Sequence, residues 1–123
     1  MSWTLQLPWL PPGLNGPQGL MRMHWSQKRK AGEAAYLLVR AALPSTPPPK
    51  PPLRLTYVLR YARQPRDLDN LAASLKLPLD ALVKARALPD DNPGVVAELV
   101  LRQEKVPTVK EQGITITLEP LTP

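Results

Sequence analysis

The most regular pattern in the chain is the alternation LRLTYVLRY. Leu53, Leu55, Tyr57, Leu59 and Tyr61 are separated by Arg54, Thr56, Val58 and Arg60. A period of two predicts a strand with one apolar face and one largely basic face. Thr4 to Leu7 alternates more weakly and predicts a short strand. Pro8 and LPPGLNGPQG follow, a stretch that cannot be regular and reads as a long loop. Ser26 predicts the N-cap of a helix over Gln27 to Ala42. Within it Ala35, Leu38 and Ala42 recur at near-helical spacing, and Leu37 and Val39 widen the stripe. Residues 44–52, PSTPPPKPP, predict a stiff extended connector.

After the turn ARQPR, Asp67 or Asp69 opens a second helix that runs to about Ala85. At 100° per residue Leu68, Leu71, Leu75, Leu79 and Leu82 share one sector of about 80°, the expected core face. Asp69, Ala73, Lys76 and Asp80 share another of about 60°. Pro78 either kinks this helix near Ser74 or sits in the first turn of a restarted one. LPDDNPG predicts a turn. Val95 to Val106 and Ile114 to Glu119 predict two further strands, paired through the connection around residues 107–113. The order is strand, helix, strand, helix, strand, strand, within a single domain over residues 1–123.

Composition narrows the chemistry. The chain has 123 residues, no cysteine and one histidine. That excludes a disulfide framework, a thiolate zinc site and a cysteine nucleophile, and any multi-histidine metal site within one chain. His24 remains as a contact for DNA or a loop backbone. Proline is abundant, 17 residues, but the 43% hydrophobic content suffices for a core. No apolar run approaches the ~18 residues of a membrane span. The first residues lack a charged leader with an apolar segment behind it, so a cytoplasmic protein is expected.

Charge changes the picture further. The net charge of +6 divides unevenly. Residues 1–66 hold ten bases and one acid, a charge of +9, and residues 67–123 hold six bases and nine acids, a charge of −3. A basic half suggests a polyanionic partner through counterion release. Arg22, Lys28, Arg29 and Lys30 form the best phosphate-contact group, and Arg63 and Arg66 flank the acids. Met21, Met23 and Trp25 are expected to pack rather than to stack on bases. Asp67, Asp69, Asp90 and Asp91 fall in two short stretches just past the arginines. Clustered carboxylates repel one another, and a bound divalent cation is the usual offset. Each feature also has an ordinary explanation: Asp67 and Asp69 as helix caps, Lys76 and Asp80 as an i,i+4 pair, Asp90-Asp91 as turn chemistry.

Taken together, RDLDNLAASLKLPLDALVKARALPDDNPGVV resembles the RusA-type Holliday junction resolvases. The resemblance rests on Asp67-Leu-Asp69-Asn70-Leu71, Lys76, Asp80-Ala-Leu82 and Asp90-Asp91, and on the opening strand with its Pro-rich loop, LPWLPPGLN. The family's lysine lies four residues after its second Asp, where this chain has Ala73. Lys76 lies three residues further on and keeps the family spacing to Asp80. The resemblance implies an α/β fold, a small mixed sheet of about four strands with two main helices, and a homodimer. It implies Mg²⁺-dependent (or Mn²⁺-dependent) nicking of four-way DNA junctions. Asp67, Asp69 and Asp91, with Asp90 as the alternative, would hold the metal, and Lys76 would be catalytic. The remaining alternative is a branched-DNA-binding protein on the same scaffold with other specificity or no turnover.

Overall fold

The computed structural model describes residues 3–13 and 19–121. The chain is a mixed α/β protein. Its strands are β1 (Trp3–Leu7), β2 (Leu53–Tyr61), β3 (Val96–Lys105) and β4 (Gly113–Pro120). Its helices are α1 (Trp25–Ala42), α2 (Leu68–Ser74) and α3 (Lys76–Lys84), with single 3-10 turns at Leu20–Arg22 and Val109–Glu111. The four strands form one sheet in the order β1-β4-β2-β3. β4 runs antiparallel to both neighbours, and β3 runs parallel to β2.

The alternation in the strands builds the core in rows. Leu7, Ile114 and Leu59 stand side by side across three strands. Leu5, Ile116 and Tyr57 form the next row, and Trp3, Leu118 and Leu55 the third. All nine side chains are buried, and each large one contributes about 1.5–3 kcal/mol through removal from water. Ala35 and Val39 of α1, Leu71 of α2 and Ala81 and Leu82 of α3 close the same cluster. The opposite sheet face carries the alternate residues, among them Thr4, Thr56, Thr115, Thr117, Arg54 and Arg60.

β3 and β4 do not pair with each other. They lie on opposite sides of β2, and the connection between them passes the end of β2. There Val106 N–H donates to the Tyr61 carbonyl at 2.8 Å and Ala62 N–H to Gln112 Oε1 at 2.9 Å. The reason is hydrophobic. Ile114, Ile116 and Leu118 are wholly buried and need neighbours on both sides, whereas β3 is largely exposed and tolerates the edge.

The helices also depart from the expected limits. His24, not Ser26, caps α1: its Nδ1 accepts from Ser26 N–H at 3.4 Å while Gln27 Oε1 accepts from His24 N–H at 2.9 Å. The helix therefore starts two residues earlier. Its buried line runs through Ala35 and Val39, and Leu37 points to solvent. Past Ser74 the chain restarts: α2 ends, Leu75 bridges, and Pro78 falls in the first turn of α3. There its missing N–H costs no helical bond. Leu71, Leu75 and Leu82 are buried as the sector arithmetic predicts, but Leu68, the first residue of α2, is 80% exposed. It lies beyond the end of the core that its helical neighbours reach.

One hydrogen-bonded chain ties sheet to helix at the restart. Ser74 Oγ–H donates to the Leu71 carbonyl at 2.6 Å, which uses its only proton. Tyr57 O–H therefore donates to Ser74 Oγ at 2.8 Å, in the core. Burial pushes the Tyr57 phenol up to about 12, against smaller lowering from Ser74 and from the Arg66 charge. Because the folded value lies above the unfolded one of about 10, this stabilisation is complete below pH 10 and is lost as pH rises toward 12. Tyr57→Phe should cost about 1 kcal/mol at pH 7 and should narrow its deficit to the native protein between pH 10 and 12. Urea denaturation at a series of pH values measures both.

Candidate metal and nucleic-acid site

The site is built where β2 hands over to α2. Gln103 on β3 clamps the chain just ahead of the helix: its Oε1 accepts from Arg66 N–H at 2.7 Å and its Nε2 donates to the Arg66 carbonyl at 2.9 Å. Asp67 then holds the N-cap position in an extended conformation, and its side chain makes no capping bond. Asp69 lies in the first turn, where its Oδ1 accepts from Asn70 N–H at 2.9 Å. Both aspartates are exposed. The helix begins at Leu68, so the two acids stand at its N-cap and in its first turn.

The loop after β1 reaches this turn. A Cβ on Gly13 would come within 3.2 Å of Asn70 Oδ1 and 3.3 Å of its carbonyl oxygen, so glycine permits the approach. The Asn of LPWLPPGLN lies outside the described residues.

The second acidic stretch is organised differently. Asp90 Oδ1 accepts from Asp91 N–H at 2.7 Å and Asp90 Oδ2 from Asn92 Nδ2 at 3.0 Å. The Asp91 backbone bond first, then the Asn92 amide, hold Asp90 below the usual carboxylate range. Asn92 in turn receives Gly94 N–H at 2.9 Å. Asp90 is thus committed to the turn, whereas Asp91 lends it a backbone N–H and carries an exposed side chain.

One chain does not bring these two stretches together. Arg66 is fastened to Gln103, near the C-terminal end of β3. Asn92 is bonded to Val95 and Val96 at its N-terminal end, through backbone contacts of 2.9 and 3.0 Å. Val96 and Gln103 are seven residues apart on the strand, about 23 Å at 3.3 Å per residue. Among the described residues no group of three or more His, Asp or Glu is placed to hold a metal ion. The oxygen donors of Asp67 and Asp69 suit Mg²⁺, which takes one or two carboxylates and fills its octahedron with water and phosphate oxygens. They are two of the three acids expected, and in a single chain the third, Asp91, lies toward the other end of β3.

Lys76, the first residue of α3, pairs with Asp80 at 3.1 Å. Both side chains are largely exposed, so the pair contributes only a few tenths of a kcal/mol. That bond engages its ammonium with Asp80, one turn further along α3.

Of the bases, Arg22, Lys28, Lys30 and Arg63 are exposed, and Arg29 pairs with Glu33 at 3.6 Å. Arg66 is turned inward. Burial lowers its pKa, offset in part by Tyr57, and its Nη1 is buried without a hydrogen-bond partner among the described residues. Met21 and Trp25 do not pack as expected: they are 69% and 66% exposed beside the basic start of α1. Sequence reasoning also missed Gln103, whose only signal was a polar residue at an inward position of a strand. Comparison of the chain with protein-family models and with curated proteins finds no match.

Asp90→Ala should lower the thermal midpoint, whereas Asp91→Asn should leave it unchanged, as read by circular dichroism. Because the pKa of Asp90 is depressed, its contribution is present above the ordinary carboxylate range and is lost as pH falls through the folded value. The gap between Asp90→Ala and the native protein should therefore close on acidification.

Proposed function

We propose that this chain is a metal-dependent endodeoxyribonuclease of the RusA type, acting as a homodimer on four-way and related branched DNA. The observation that carries the reading is the turn at Asp67–Asp69. Two exposed carboxylates open a helix, one of them without its usual capping bond, and Gln103 fixes the backbone before them. A carboxylate left out of its own helix cap is available to an outside cation.

Resolving a four-way junction takes two opposed nicks, hence two equivalent sites related by a two-fold axis. Since one chain keeps Asp91 at the other end of the sheet, each site draws Asp67 and Asp69 from one protomer and Asp91 from the other. Asp67, Asp69 and the second protomer's Asp91 would hold a divalent cation there, which would supply water activation and charge neutralisation at the phosphoryl oxygens. The chain's own residues do the rest. Arg63 and the bases at the start of α1 hold the phosphates, and Gln103 keeps the acids in place. Lys76 exchanges Asp80 for a phosphate oxygen when DNA binds.

A second reading is a branched-DNA-binding protein without turnover. The observation that favours it is the Lys76–Asp80 pair, which occupies the ammonium that catalysis would use.

A mobile four-way junction incubated with and without Mg²⁺ separates the two. The nuclease reading expects paired nicks only with the metal. Asp69→Asn and Asp91→Asn should each reduce cutting by about 10²-fold or more and leave junction binding intact. Lys76→Ala should slow cutting by about 10²-fold, and Lys50→Ala should not slow it. Binding without nicks under every metal condition would establish the second reading instead. Affinity should fall steeply with added salt in both cases.

A further inference from the structure

β3 is an edge strand: among the described residues no strand pairs with its outer side. It is ten residues long, and Leu99 on it is 48% exposed although it stands on the helix-covered face beside the buried Leu55. A long edge with exposed leucine is a template for another strand. The order of side chains in VAELVLRQEK says which strand fits.

We infer that β3 pairs antiparallel with β3 of a second copy of this chain, about a two-fold axis through Val100. In that register Glu98 lies opposite the partner's Arg102 and Arg102 opposite the partner's Glu98. Both residues belong to the open sheet face, where Glu98 already meets Arg54 at 3.1 Å. The result is a ladder of alternating charge across the dimer. On the helix-covered face Leu99 lies opposite the partner's Leu101, which removes its exposed surface from water. Neighbouring registers lose this match. An axis through Leu101 sets Glu98 against the partner's Glu104, and an axis through Leu99 sets Glu98 and Arg102 against valines. Like charges directly opposite are destabilising and unlike charges stabilising, so the sequence of the edge selects one alignment.

The inference stands on the edge alone. Its bearing on the acids rests on the nuclease reading: the same axis carries the partner's residues 90–94 to the end of the sheet that bears Asp67 and Asp69.

Sedimentation velocity at micromolar concentration tests it without any DNA. The native chain should sediment as a dimer, twice 13.6 kDa. Arg102→Glu and Glu98→Lys, each alone, should weaken self-association about 30-fold or more, because each places like charges opposite at two symmetric positions. Mixing the two variants should restore a dimer, since every charged pair across the two-fold axis then joins opposite signs. Far-ultraviolet circular dichroism checks that both remain folded. A native monomer, an unperturbed Arg102→Glu dimer, or folded variants that fail to associate when mixed would each overturn the assignment. A dimer that Arg102→Glu leaves intact and that nicks junctions would overturn the edge pairing while sparing the nuclease reading; a dimer that Arg102→Glu breaks but that never nicks would do the reverse.

Discussion

The parallel pairing of β2 with β3 is the constraint on which the remaining architecture depends. Parallel neighbours cannot be joined by a hairpin; the chain must cross from the end of one to the start of the other. Here α2 and α3 make that crossing over the apolar face of the sheet. The crossing has a direct chemical consequence. Whatever follows β2 lies at one end of the sheet, and whatever precedes β3 lies at the other. The Asp67–Asp69 turn and the Asp90–Asp91 turn are those two segments.

The crossing is held by few polar contacts set among many apolar ones. Tyr57, Ser74 and the Leu71 carbonyl form a continuous hydrogen-bonded chain from the middle strand to the point where the helix breaks. Gln103 fastens the start of the crossing, at Arg66, to β3. Between these, Leu71, Leu75 and Leu82 bury the inner side. A rigid crossing leaves the first turn of α2 little freedom to travel along the sheet. On the nuclease reading, the third acid comes from a second molecule.

Much of the fold was legible in the amino-acid order because the core is made of alternating rows. β2 has the limits its alternation predicts, and the other strands differ by a residue or two. Pairing was less legible. The choice of inner place for β4 over β3 follows from burial summed over three strands, which no single segment reports. Leu68 and Leu37 were misread because a helical sector says which side a residue faces and not how far the core extends beneath it. His24 escaped notice as a cap because histidine is not among the usual capping residues. The acids were recognisable as a set by residue type and spacing. Their separation was not, because it depends on whether the strands run parallel or antiparallel.

The candidate site and the free edge have one cause. A strand that ends the sheet exposes its outer backbone groups, and the same strand begins at one acidic turn and finishes near the other. A nuclease built on this plan would need two chains for each cation site. The most direct test combines Asp69→Asn with Asp91→Asn in separate chains, refolded together at equal concentration and given Mg²⁺ and a four-way junction. If each site takes acids from both protomers, the mixed dimer holds one intact site and one doubly damaged one. It should then nick a single strand, although neither variant alone does. A mixture as inactive as its components, with dimers formed, would contradict the account.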